Sequence, residues 1–254
     1  MNSPEDGRRT AIRHSSIDFM IQQEETKQAM IRAIIWDMDG TIADTETLHF
    51  QAWHATMARY GVDYSYTEFK NGFGRNNAEI LTELLDDPAS DTIAKISLEK
   101  EEAFRALLNP ARVGTLPGVR EWLVRLQMAG KVQVVASSGP MANIAALVNV
   151  LSLGDFFAVL MTGTWLPKGK PDPALFLRCA AAIDASPHEC IVIEDSIHGI
   201  EAARGAGMRS IAVGALAGSP VLRPYLTGTN GASCVAIPDL SEVADPIGML
   251  ELAG

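Results

Sequence analysis

A doubly wound parallel α/β sheet with an inserted α-helical cap is the fold class this sequence predicts, on three observations. Short apolar runs recur at Arg32–Trp36, Val132–Ala136, Ala158–Met161, Cys190–Ile193, Arg209–Val213 and Cys234–Ile237. Helix-length segments lie between most of them, and strands alternating with helices build a Rossmann-like parallel sheet covered on both faces. One long amphipathic stretch, from about Thr47 to Gly114, breaks the alternation without a convincing strand, so it reads as helical and inserted.

Each element has a local reason. RAIIW is apolar, branched and followed by acidic residues and glycine, the pattern of a buried strand opening into a loop. After the helical stretch, Pro117-Gly118 punctuates the return to the sheet domain. Helices are expected at Val119–Gly130, Met141–Leu151, Pro173–Ile183 and Gly199–Gly207, each leading to the next apolar run. Gly214 to Gly231 is glycine-rich and is expected to be an irregular loop before the last strand and helix. The expected organisation is a polar tail over residues 1–30, a core domain of residues 31–46 and 115–254, and a helical cap over residues 47–114.

Hydrophobic residues make up 47% of the 254 and charged residues 20%, which describes a soluble globular chain able to bury a core. A formal net charge of -10 argues against nucleic acid or an anionic membrane as partner, since both need a basic surface. An anionic small molecule then needs a locally cationic site, built from a metal ion and a few placed lysines or arginines. Cys179, Cys190 and Cys234 are odd in number and without CxxC spacing, which favours reduced thiols and a cytoplasmic setting.

The chemistry concentrates after the first strand, in Asp37-Met38-Asp39-Gly40-Thr41. Carboxylates two residues apart project to one side of an extended segment, and Gly40 permits a sharp turn behind them. That arrangement suits divided labour, one carboxylate attacking and the other carrying a proton. Three more pieces fall at strand ends or loops: Ser137 closing VQVVA, Lys170 in GKPDP, and Glu194-Asp195 after CIVI. Lys168 competes with Lys170, but the place of Lys170 directly before Pro171-Asp172-Pro173 favours it. Ser138 reads as a helix cap beside Ser137, and Ser196 as a cap after the acidic pair.

These four pieces, in this order, resemble the signature of the haloacid dehalogenase superfamily over nearly the whole chain after residue 30. The resemblance implies a nucleophilic Asp37 that forms an aspartyl phosphate, with Asp39 as general acid and base. It implies Mg²⁺ bound by Asp37, the backbone carbonyl of Asp39 and Asp195, with Glu194 a direct or water-mediated ligand. Lys170 and Ser137 would hold the phosphoryl group, with Thr41 and Ser138 beside them. Lys170 and the metal should keep Asp37 ionised, while Asp39 must hold a proton when it acts as acid.

DTETLHFQAW and NGFGRNN are further similar to segments of beta-phosphoglucomutases, which carries Thr45, His49 and Arg75 onto substrate-adjacent positions and sets Arg105 against that group's cap lysine. His49 and Trp53, one helical turn apart, fit core packing equally well. The chain departs from the mutase pattern at Ser138-Gly139-Pro140-Met141, which lacks the serine, lysine and asparagine that would hold a distal phosphate. The expected activity is therefore a Mg²⁺-dependent phosphatase of small phosphorylated metabolites such as sugar phosphates, acting as a monomer or small homo-oligomer. The alternatives are a beta-phosphoglucomutase-type isomerase, a haloacid dehalogenase attacking carbon, and a catalytically silent binding protein.

Overall fold

The computed structural model describes residues 30–72, 75–86, 88–226 and 233–252. The expected tail over residues 1–30 lies, but for Met30, outside the described residues. Among the described residues, six parallel strands form one sheet in the order β3-β2-β1-β4-β5-β6. They are β1 (Ala33–Trp36), β2 (Val132–Ser137), β3 (Val159–Thr162), β4 (Cys190–Glu194), β5 (Arg209–Val213) and β6 (Cys234–Ile237). The central strand β1 pairs with β2 on one side and β4 on the other, in the registers Trp36 to Val135 and Trp36 to Ile193. The chain runs outward from β1 through β2 to β3, then crosses back to β4 beside β1 and runs outward the other way, so a crevice opens beyond the carboxyl ends of β1 and β4, where open α/β sheets bind ligands.

Alternation along β1 splits the core into two layers. Ile34 and Trp36 pack on the face that receives Val119, Trp122, Leu123 and Leu126 of helix α5 (Val119–Met128) and Ile144 and Leu147 of α6 (Met141–Val150). Ala33 and Ile35 face Leu175, Phe176, Cys179 and Ala180 of α7 (Ala174–Ala182) and Ala202 and Ala203 of α8 (Ile197–Gly205). Trp36 satisfies its indole N–H on Gln133 Oε1 at 3.1 Å and meets Trp122 edge-on, with ring centroids 6.4 Å apart. All six expected strands and the four expected core helices form. The last of the four, α8, begins two residues earlier than the sequence suggested, because Ser196 caps it by accepting from Gly199 N at 3.1 Å.

The glycine-rich segment corrects one expectation. Gly214–Ala217 forms a short helix and Pro220–Tyr225 a 3-10 turn, because Leu216 and Leu222 bury against Ile200 and Ala212. Residues 227–232, the rest of that expected loop, lie outside the described residues.

Helices α1 (Glu46–Ala58), α2 (Tyr66–Gly72), α3 (Asn77–Leu84) and α4 (Ser90–Leu107) form the inserted helical cap. Trp53, Met57, Tyr64, Phe69, Ile80, Leu81 and Ile96 give it a hydrophobic cluster of its own. The two connections to the sheet domain run side by side: Asp44 N donates to Gly114 O at 3.1 Å and Leu116 N to Ile42 O at 3.0 Å. No described helix is long and apolar enough to cross a membrane.

Candidate active site

Asp37 leaves the end of β1 with its backbone N–H still donated to Ile193 O on β4, at 3.0 Å, so its position is set by the sheet itself. Its carboxylate is buried and accepts from Lys170 Nζ at 2.5 Å; the same ammonium donates to Glu194 Oε1 at 2.5 Å. Glu194 uses its second oxygen for Ser196, accepting from its N–H at 2.7 Å and its hydroxyl at 2.8 Å. The start of α8 is thereby tied to the acidic pair. Gly199 is required there, because a Cβ would lie 1.9 Å from the Glu194 carboxyl carbon. Gly40 has φ +85°, and a Cβ on it would stand 2.2 Å from Asp195 Oδ2. Thr41 donates its hydroxyl to Asp195 Oδ1 at 3.1 Å.

Asp37, Glu194 and Asp195 each offer an oxygen within 4.8 Å of the others. Three carboxylates so close repel one another, and one ammonium does not balance them. Burial, opposed by Lys170 and reinforced by Glu194 and Asp195, raises the Asp37 carboxyl well above the ordinary range. Burial and the neighbouring Glu194 push Asp195 from 3.8 up to about 7. An all-oxygen donor set with excess negative charge fits a hard divalent cation. The stability consequence has a definite sign. A carboxyl whose folded pKa is raised binds protons more tightly when folded, so stability falls as pH rises between its unfolded and folded values. With chelator present, the melting temperature is expected to be lower at pH 8 than at pH 5, and a divalent cation is expected to raise it more at pH 8. Equal cation effects at the two pH values would sink that account of the cluster.

Asp39 has different company. Thr45 donates its hydroxyl to Asp39 Oδ1 at 2.8 Å, and His49 Nε2 lies 3.1 Å from the same oxygen. His49 Nδ1 is 3.0 Å from the ammonium of Lys100, which can only donate, so Nδ1 accepts and the ring proton sits on Nε2, pointing at Asp39. Burial, then Lys100, lowers the His49 pKa, which agrees with a neutral ring. For Asp39 burial acts upward, but His49, Thr45 and Lys100 outweigh it and hold the carboxyl below its usual range. The environments of Asp37 and Asp39 differ as expected: neighbouring side chains alone hold the Asp39 carboxyl below its usual range, whereas Asp37 needs further positive charge to be ionised.

A cavity of about 710 Å³ lies between the cap and the carboxyl ends of the strands. Asp37, Asp39, His49, Arg75, Ser137, Ser138, Lys170, Glu194 and Asp195 all line it. Thr41 and Thr45 do not; both are buried, with their hydroxyls turned to carboxylates. Ser138 does not cap α6, whose N-cap is Pro140 without a side-chain bond. Ser137 Oγ instead accepts from Gly139 N at 3.0 Å. Arg75 pairs with Glu83 at 2.9 Å and Glu79 at 3.7 Å, so an anion there must compete with two carboxylates. Arg105 donates to Asn143 at 2.8 Å, whereas the lysine beside His49 is Lys100. Both His49 and Trp53 line the cavity: Trp53, at 3% exposure, belongs to the hydrophobic cluster of the cap as well, and His49 stacks on Phe104 at 3.8 Å.

Lys100, Glu101 and Asn143 were not among the sequence candidates. A signal for Lys100 exists: Ile93, Ile96, Lys100 and Phe104 share one stripe of α4, and a charge on an apolar stripe needs a partner.

Comparison with known proteins agrees with this geometry. A family model described as haloacid dehalogenase-like hydrolase matches residues 34–213. The phosphorylated carbohydrates phosphatase of Thermotoga maritima is 32% identical, covering 71% of this chain and 84% of that protein. The beta-phosphoglucomutase of Bacillus subtilis is also 32% identical, covering 76% of this chain and 86% of that one. Among solved structures, CbbY from Rhodobacter sphaeroides in complex with phosphate superposes with a TM-score of 0.71 at 29% identity, covering 86% of this chain and 99% of that one. The chain belongs to the haloacid dehalogenase-like hydrolase family, on its beta-phosphoglucomutase-like branch.

Proposed function

We propose that this enzyme is a phosphatase of small phosphorylated metabolites such as sugar phosphates, working through an aspartyl phosphate on Asp37. The observation that carries the reading is the separation of the two carboxylates of the Asp37-Met38-Asp39 turn. Asp37 belongs to the buried Lys170–Glu194–Asp195 cluster, while Asp39 is turned to Thr45 and His49 at the start of the cap.

In the first half-reaction an Asp37 oxygen attacks phosphorus, the bond from phosphorus to the ester oxygen breaks, and Asp39 gives its proton to that oxygen. In the second, Asp39 takes a proton from water as the water attacks phosphorus, the bond to Asp37 breaks, and phosphate leaves. Lys170 and Ser137 hold the phosphoryl oxygens, and positioning with charge stabilisation supplies most of the acceleration. Asp37, Asp195, the Asp39 carbonyl and Glu194, directly or through water, are the residues to hold Mg²⁺. The ion would neutralise Asp37 and the phosphoryl charge. The low proton affinity of Asp39 makes the acid half the more demanding of its two duties. Domain limits of 31–46 with 115–254 for the core and 47–114 for the cap fit this division of labour. Three buried free cysteines support a reducing, cytoplasmic setting.

A second reading, phosphoryl transfer between sugar hydroxyls, is favoured by the cap side chains His49, Lys100 and Arg75, which line the same cavity as Asp37 and Asp39. A panel of phosphate esters assayed for phosphate release, with Mg²⁺ and with chelator, tests the first reading beside an assay converting beta-glucose 1-phosphate to glucose 6-phosphate. Phosphate release that is abolished by chelation and exceeds isomerisation is the expected result. Isomerisation in excess would replace the phosphatase reading by the mutase, and a haloacid that releases halide in the presence of chelator, with no phosphate ester turned over, would revive attack on carbon.

A further inference from the structure

Asn143 lies in the first turn of α6, in the sheet domain, at 4% exposure. Its amide is gripped from both ends by side chains one turn apart on the cap helix α4. Nδ2 donates to Glu101 Oε2 at 2.5 Å, and Oδ1 accepts from Arg105 Nη1 at 2.8 Å. Since a carboxylate can only accept and a guanidinium can only donate, these partners dictate which way the amide faces. The other Glu101 oxygen accepts from Asn77 Nδ2 at 2.7 Å and from Lys100 Nζ at 2.9 Å. Lys100 is the donor to His49 Nδ1, and His49 Nε2 is the donor to Asp39. A continuous hydrogen-bonded path therefore leaves the sheet domain at Asn143, crosses three cap side chains and re-enters it at Asp39.

We propose that Asn143 and Glu101 are positioning residues: they clasp the cap to the core so that Lys100 and His49 meet Asp39 only when the cap is seated. This deepens the phosphatase reading and rests on Asp39 being its acid and base. The physical reason is that Lys100 is buried and needs its counter-charge where it stands. Glu101, in turn, is held in place by two amides and that ammonium. Loosening the core end of the path lets Glu101 turn, Lys100 follows its charge, and the proton on His49 is no longer fixed on Nε2.

The geometry offers a swap. Asn143→Asp sets a second carboxylate against Glu101 and breaks the clasp, and Glu101→Gln alone turns an amide N–H toward the N–H of Asn143. Together they restore it with reversed polarity: the amide introduced at 101 donates to the carboxylate introduced at 143, which still accepts from Arg105. The readout is kcat/KM, which reports steps through phosphorylation of Asp37, for a sugar phosphate and for p-nitrophenyl phosphate. The sugar alkoxide needs the proton of Asp39; nitrophenolate leaves without one. Asn143→Asp is expected to lower kcat/KM for the sugar phosphate by roughly 10²-fold, and for the aryl ester by much less, with part of the loss recovered in the double variant, where the amide oxygen at 101 still accepts from Lys100 but the negative charge has moved to 143. Asn143→Ala serves as the neutral control should the aspartate variant melt early.

In the same proteins, ¹⁵N shifts of the His49 ring should report a single Nε2-protonated form in wild type and double variant, and a mixture in the single variants. Equal losses for both esters, or no recovery in the double variant, would reduce the clasp to a structural anchor and overturn the proposal. So would His49 signals that ignore the substitutions. Wild type inactive on both esters, with His49 still responding, would instead overturn the phosphatase reading and leave the coupling standing.

Discussion

Asp37→Asn should lower kcat on any phosphate ester by about 10⁴-fold or more, a loss of at least roughly 5 kcal/mol in transition-state stabilisation. The substitution keeps the shape of the side chain and removes the attacking oxygen's charge, so the covalent route closes while the cavity stays the same size. Folding should respond in the opposite direction. Burial and its acidic neighbours raise the Asp37 carboxyl well above its ordinary range, so the ionised form is disfavoured by the fold, and a neutral amide relieves that repulsion. With chelator at pH 8 the variant should melt no lower than wild type. The pair of results is diagnostic, because a residue that merely supported the site would lose stability and activity together. Steady-state kinetics with thermal melts checks both, and a variant within tenfold of wild type in kcat would remove Asp37 from the role of nucleophile.

What the sequence made legible follows from where each group sits. Asp37, Ser137 and Glu194 end strands or lie next to their ends, so an apolar run followed by a polar residue marks them without any knowledge of packing. Lys170 was legible from its loop, set before Pro171. The cap network was not, because its spacing is made by tertiary packing. In the run Glu99-Lys100-Glu101-Glu102 the charges read as a solvated helix face, yet Lys100 and Glu101 are buried and Glu102 is exposed. Arg105 was set against a lysine on its sequence place, but it lies five residues beyond Lys100 on α4 and meets Asn143, leaving Lys100 beside His49. Thr45 was legible as a site residue and not as a partner of Asp39, since only the turn at Gly40 brings the two hydroxyl and carboxylate oxygens to 2.8 Å.

Lys170→Met should produce the largest combined loss of stability and activity in the molecule. The ammonium bridges Asp37 and Glu194 at 2.5 Å each with its side chain 2% exposed, so its removal strands two buried carboxylates with Asp195 beside them. Breaking a buried pair from one side costs about 3–5 kcal/mol, since the remaining charge is left uncompensated. The pH dependence identifies the cause. Lys170 has its pKa raised and is charged in both folded and unfolded chains below pH 8, so it adds no slope of its own in that range. The carboxyls do: Lys170 holds down the already raised pKa values of Asp37 and Asp195, so without it both climb further, and stability falls more steeply as pH rises from 5 to 8 than in wild type. A divalent cation should return part of the stability, since it supplies positive charge to the same oxygens, but not the activity. Lys170 also neutralises the phosphoryl group in the proposed reaction, and losing one such donor costs about 10²–10³ in kcat. Urea melts at both pH values, with and without Mg²⁺, separate the two duties. A variant as stable as wild type at pH 8 in chelator would show that the cluster does not depend on this charge, and kcat within a few fold would show that the phosphoryl group does not either.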